Sequence, residues 1–300
     1  MADLKTIIKL TQEELKRSIP VEQAVTEALK GLSSREADVV ARRAGLRNGQ
    51  KETLAEIGQE FGVTRERVRQ IENQGLKKLR GQLEREPLSE LSRLAVSLVR
   101  EHGGVMAQES LYKYFLPESQ HTPSGTRAVA LLLELGNVAL ATPGKKLRPF
   151  YAVSKAHERA VAQVIPALKG ALADTRKPLP TETLVEQVRE SDASEGIGYL
   201  LSEGLVESSL EIGTDFVTAP EDTWGLASWP EINPRNIRDK TLFMLRKVGT
   251  PMHFTEITEQ IAQAKFDGKR VTTQAVHNEL INGDEFVLIG RGIYALKEWG

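Results

Sequence analysis

Apolar residues recur along most of this chain at the three-and-four spacing of a single helical face, so the pattern predicts a mainly helical protein. Leu54, Ile57 and Phe61 form one such stripe, and Val68, Ile71, Gly75 and Leu79 form the next. Thr53, with Glu56 three residues on, makes a capping box before the first stripe. Gly62 permits the positive φ that ends that helix. Thr64 caps the second, with Arg67 where a full box would carry Glu. Two helices around a glycine turn give the outline of a helix-turn-helix.

After Arg80 a longer pattern recurs three times. A helix (Leu88–Glu101, residues 156–173, Ile237–Val248) precedes a short apolar step at residues 104–106, 178–180 and 251–253. The steps begin 74 and 73 residues apart. A helix anchored on Leu111, Leu184 or Ile257 follows each step, then another helix, then two β-like runs. The runs are "NVALATPGKKLRPFYAV", "GLVESSLEIGTDFVTA" and "DEFVLIGRGIYALKEW". Helix, edge strand, two helices and hairpin describe a winged helix, and a fixed period points to tandem modules. The expected fold class is therefore mainly α with small β-hairpins (α+β). It comprises an N-terminal helix-turn-helix domain followed by three tandem winged-helix modules. The expected boundaries are a helical extension over 1–31, the helix-turn-helix over 32–82, and winged helices over 88–153, 155–228 and 231–300.

Composition narrows the class. The chain has 300 residues, 40% of them hydrophobic and 27% charged, as in a soluble protein of several domains. With no cysteine, disulfides, thiolate catalysis and Cys-ligated zinc are excluded. No apolar run has the length of a membrane helix, and "MADLKTIIKLTQEELKRS" lacks the apolar core of a signal peptide. The expected location is the cytoplasm, with no membrane partner. Net charge is −1 but unevenly spread: residues 32–80 carry +4, 81–153 carry +1, 154–230 carry −7 and 231–300 carry +1. Such asymmetry suggests an anionic partner for one part of the chain.

The positive charge gathers in "GVTRERVRQIENQGLKKLR", whose residues 64–80 hold six basic and two acidic side chains. Projected at about 100° per residue, Glu66, Arg69, Gln70, Asn73, Lys77 and Arg80 lie opposite the apolar stripe, flanked by Arg65 and Arg67. Arg pairs with guanine O6 and N7, Gln or Asn with adenine N6 and N7, and Glu accepts from cytosine N4. Lys77, Lys78 and Arg80 stand where a helix leaves the groove, suited to phosphates. A solvated helix face laced with ion pairs is the plainer reading, but six bases against two acids weigh against it.

Residues 32–80 resemble region 4 of primary, sigma-70-type sigma factors of bacterial RNA polymerase. The resemblance rests on Leu32, Arg35, Glu36, Gly45, Leu46, Thr53, Leu54, Glu56, Ile57, Gly58, Phe61 and the string from 63 to 72. It implies that the second helix enters the major groove of a −35 promoter element. Arg65, Glu66, Arg69 and Gln70 would read bases. Thr53, Thr64, Arg67, Asn73, Lys77, Lys78 and Arg80 would hold the backbone. It further implies that the helix around residues 39–46 docks on the β flap of RNA polymerase core. A complete sigma factor also carries region 2, which traps unstacked bases on aromatic platforms. The first 31 residues contain no Phe, Tyr or Trp, and no later helix is both aromatic and basic. The expectation is −35-like recognition without a promoter-melting region.

Residues 232–300 resemble a HARE-HTH domain, a winged helix found also in the delta subunit of RNA polymerase. Pro251, His253, Phe254, Ile257, Thr273, Val276, Leu280, Phe286, Gly290, Gly292, Tyr294, Leu296 and Trp299 carry this likeness. Its third helix is expected over 272–281. Arg270, Thr273, Gln274, His277, Asn278 and Arg291 are candidates for further DNA contact. In the first repeat a basic wing, Lys145, Lys146 and Arg148 beside Pro143 and Gly144, suits phosphates. The acidic residues 154–230 suit a spacer or a contact with other transcription proteins. No phosphate loop, HExxH, nucleophile elbow or paired metal-ligand spacing occurs, so neither catalytic residue, cofactor nor metal is expected. The alternative reading is a delta-like polymerase accessory protein with minor DNA contact.

Overall fold

The structure, a computed structural model, describes residues 13, 20–85, 87–142, 144–219, 221–264, 266 and 270–300. Residues 1–12 and 14–19 of the expected extension, and Pro143 of the first wing, lie outside them. The chain divides into two compact units, Met1–Leu168 with Glu182–Gly213 and Lys169–Thr181 with Thr214–Gly300.

In the first unit, helix α1 (Val21–Leu29) leads into α2 (Ser34–Ala44). Ser33 closes a capping box with Glu36 at the start of α2. Helix α3 (Leu54–Phe61) begins at the Thr53–Glu56 capping box and stops at Gly62, whose φ of +62° only glycine adopts freely. Helix α4 (Arg65–Gln82) follows, with the Arg67 N–H donating to Thr64 Oγ1 at 3.2 Å. Val39, Ile57, Val68 and Ile71 form a small core among these helices, with Leu54, Phe61 and Val63 against it.

A second core reaches further. It joins Val21, Ala24, Val25 and Leu29 of α1, and Val40 and Leu79 of α2 and α4, to residues of the first repeat. That repeat consists of α5 (Leu88–Glu101), β1 (Val105–Ala107), α6 (Gln108–Phe115), α7 (Pro123–Leu135), β2 (Ala139–Ala141) and β3 (Phe150–Ala152). Its sheet has the order β1-β3-β2, with Met106 and Leu140 both opposite Tyr151. Along α7 Ala128, Val129, Leu131, Leu132, Leu133 and Leu135 are all buried, while Glu134 on the opposite side is exposed. It packs on α1, α2 and α4 as well as on α5, so the helix-turn-helix and the first repeat share one core. Arg127 on α7 donates from Nε to the Gly49 carbonyl at 2.9 Å, and the Val21 N–H reaches Gln120 Oε1 at 3.3 Å.

Helix α8 (Lys155–Thr175), strand β4 (Leu179–Pro180), α9 (Thr181–Glu190), α10 (Glu203–Ile212), β5 (Phe216–Ala219) and β6 (Thr223–Leu226) follow in order. The expected β-like run over 204–219 is corrected here, because its first half is α10. Ser202 caps that helix by accepting from the Leu205 N–H, and Leu205, Val206, Ser209 and Leu210 bury along it. The hairpin is β5 and β6, displaced toward the C-terminus. Helix α10 lies against β1, and Ser208 Oγ donates to the Val105 carbonyl at 2.7 Å.

The second unit contains the sheet β4-β6-β5 and the last repeat. That repeat runs α11 (Ile237–Val248), β7 (Met252–His253), α12 (Phe254–Ala264), α13 (Thr273–Asn282), β8 (Phe286–Gly290) and β9 (Ile293–Leu296). Its sheet has the order β7-β9-β8 over a core of Met244, Leu245, Ile257, Val276, Leu280, Phe286 and Tyr294.

Candidate nucleic-acid interface

Helix α4 buries Val68, Ile71, Gly75 and Leu79 and exposes Arg65, Glu66, Arg67, Arg69, Gln70, Asn73, Lys77 and Arg80. The helical period thus separates a core stripe from a polar face long enough to lie in a major groove. Two arginines of α2 anchor this arrangement from behind. Arg42 is 5% exposed; it donates to Glu52 from Nε at 2.9 Å and from Nη2 at 2.5 Å, and also to Glu60. The hydrogen bonds to Glu52 and Glu60 push the guanidinium pKa above its ordinary value. Arg43 donates to Glu72 at 3.1 Å and to the Glu52 carbonyl at 2.5 Å. Glu72, an acid on the basic helix, is therefore engaged with α2. These anchors were not legible as site residues, since Arg42, Glu52 and Glu60 follow no local spacing.

On the exposed face, Arg69 holds Glu66 with two bonds of 2.9 and 2.7 Å, and Arg67 donates to Gln70 Oε1 at 3.1 Å. The hydrogen bond from Arg69 lowers the Glu66 pKa, keeping it an acceptor. These pairs are solvent-exposed, so exchanging them for base edges costs little. Thr53 and Thr64 use their hydroxyl oxygens as cap acceptors, which leaves the O–H groups as donors. Lys78 differs from its neighbours: its Nζ lies 2.8 Å from both carboxylate oxygens of Glu36, so its charge is directed at α2.

The remaining candidates occupy separate places. Lys145 and Lys146 are exposed between β2 and β3. Arg148 is held by the carbonyls of Glu211, at 2.5 Å, and Gly213, at 3.2 Å. In the second unit Arg270, Gln274, Asn278 and Arg291 are exposed, and Gln274 donates to Asn278 at 2.9 Å. Thr273 and His277 are half-buried. The His277 ring stacks on Phe254 with centroids 4.4 Å apart and meets the edge of Tyr294 at 6.0 Å, so it packs within the repeat. Among the described residues no group of three or more His, Asp or Glu could hold a metal ion, and no helix is long and apolar enough to cross a membrane.

Residues 28–81 match the family description of sigma-70, region 4. Over 54 residues the chain is 57% identical to the RNA polymerase sigma factor SigA of Nostoc sp. (strain PCC 7120), a stretch that is 18% of this chain and 14% of that protein. The chain thus spans a small part of the length of this curated relative. Region 4 is a DNA-binding domain of sigma factors that recognises the −35 element, and α2, α3 and α4 fall within it.

Proposed function

We propose that this chain is a sequence-specific, non-enzymatic transcription factor of the bacterial cytosol that reads a −35-like promoter element and associates with RNA polymerase. The observation that carries this reading is α4, which exposes Arg65, Glu66, Arg69 and Gln70 together inside the region 4 match. The four supply the donor and acceptor sets for guanine, adenine and cytosine edges in the major groove. Arg67, Asn73, Lys77 and Arg80, with the Thr53 and Thr64 hydroxyls, surround them with phosphate donors. We assign the β flap of the polymerase to the open groove of α1, α2 and α3, floored by Leu29, Ala37, Ala41 and Phe61.

The three helix–strand–helix–helix–hairpin repeats read as winged helices, the last of HARE-HTH type. In the first, α7 is covered by α1, α2 and α4; α10 of the second lies on β1. Neither is presented to a groove, so within the first unit base reading falls to α4 and these two repeats take a scaffolding role. That restriction also supports the second reading, a delta-like accessory protein whose DNA contact is minor.

The test is to capture the intact protein with its host's core polymerase and footprint the bound DNA. Protection over a −35-like hexamer supports the first reading. Retention on polymerase without any footprint supports the second.

A further inference from the structure

We propose that the last repeat is a self-association module, in which β8 pairs antiparallel with β8 of a second copy of this chain. Among the described residues strand β8 pairs with β9 alone, so its other edge offers main-chain groups to a partner strand. Such edges are normally blunted by charge or proline. Here residues 286–290, Phe-Val-Leu-Ile-Gly, carry neither, and the edge is interrupted only by the register shift between Leu288 and Gly290 in a five-residue strand. Val287, Leu288 and Ile289 are 37%, 58% and 55% exposed, and Ile293 of the paired strand β9 is 38% exposed. An apolar wing of this kind is poorly suited to a phosphate backbone and well suited to another apolar strand.

The charges flanking the strand identify the partner. Asp284 and Glu285 precede it and Arg291 follows it. When two antiparallel copies meet about a two-fold axis at Leu288, Glu285 in the turn before the strand of one copy comes to the same end as Arg291 in the hairpin turn of the other. Glu285 then meets Arg291 at both ends, and Val287 opposes Ile289. Branched apolar residues directly across a ladder and opposite charges at its ends are favourable pairs, and a two-fold contact gains each of them twice. The β8–β9 ladder shifts register between Leu288 and Gly290, so the charge pairing is what fixes the proposed register. Glu285 also accepts from Arg238 of its own chain, through Oε2 at 3.0 and 2.5 Å, which holds the carboxylate at the strand's end.

Sedimentation of the full chain without DNA, over a range of concentrations, tests this. A reversible monomer–dimer equilibrium is expected. Leu288→Asp, at an exposed position, should weaken it at least about tenfold (about 1.4 kcal/mol) with an unchanged circular dichroism spectrum. Arg291→Glu should weaken it similarly by facing Glu285 with a like charge. Combining Arg291→Glu with Glu285→Lys should restore dimerisation, and thermal melts of each variant check that the repeat stays folded. A chain that remains monomeric at every concentration, a dimer indifferent to Leu288→Asp, or a charge swap that fails to restore pairing would overturn the proposal. So would a monomer whose Leu288→Asp variant loses retention on core polymerase, since the strand would then belong to that partner.

Discussion

Lys78 on α4 and Glu36 on α2 form one of the ties that fix α4 to the helix behind it: Lys78 Nζ sits 2.8 Å from both Glu36 oxygens. Bonds from Lys78 and then Ser33 bring the Glu36 carboxyl down to about 2 from an ordinary 4.5. A depressed carboxylate contributes stability that is fully present above its unfolded value and lost as pH falls from 4.5 through about 2.

Lys78→Ala should therefore lower thermal stability at neutral pH and make the acid loss between pH 4.5 and 2 shallower, while leaving the salt dependence of DNA binding unchanged. Lys77→Ala should do the reverse, with stability intact and the slope of log affinity against log salt reduced by about 1. Melting curves across pH and binding titrations across salt distinguish the two. Equal salt slopes for the two variants would show that Lys78 leaves Glu36 for phosphate.

His102, 2% exposed, has no partner for Nε2, and burial brings its pKa from 6.5 to about 4. The folded state binds the proton less well than the unfolded chain, so stability is complete above 6.5 and declines as pH falls through about 4. The gap corresponds to about 3 kcal/mol. Replacing His102 with Leu should remove that decline, measured as the difference in unfolding free energy between variant and parent at each pH. A constant difference would place the imidazole in water.

Gly49 has φ +78°, and a Cβ there would lie 2.3 Å from Pro123 Cβ at the start of α7. Gly49→Ala should destabilise the first unit by more than about 1 kcal/mol. Because α4 and α7 contribute to one core, amide exchange should accelerate in both. Faster exchange confined to the 45–52 loop would mean that the helix-turn-helix and the first repeat unfold independently.

The local parts of this fold were legible in the sequence. The Thr53–Glu56 box, the turn at Gly62, and the helices Leu88–Glu101 and Ile237–Val248 follow from caps and apolar period, and these lie where expected. The second hairpin was misplaced because only Leu210, Glu211 and Ile212 alternate as a strand would, while Leu205, Val206, Ser209 and Leu210 keep helical spacing and Ser202 caps the helix. The shared core was not read, since periodicity marks an apolar face without naming what covers it. A signal existed in Leu131, Leu132, Leu133 and Leu135, which widen the apolar arc of α7 beyond a single stripe and so require cover from more than one element. In the candidate site the exposed face of α4 follows from its period. The bonds that engage Lys78, Glu72 and Arg148 join residues 42, 29 and 63 or 65 positions apart and leave no local trace.

The central claim is that α4 reads bases, with Arg69 at the middle of its exposed face. The direct measurement is the affinity of the intact protein for a duplex bearing a −35-like hexamer and for a scrambled duplex of equal length and salt, with and without Arg69→Ala. Tighter binding to the hexamer is expected, with Arg69→Ala lowering specific affinity roughly ten- to hundredfold and relaxing preference at one base pair. Equal affinity for both duplexes, or a loss in the variant that is the same for each, would contradict base reading by this helix.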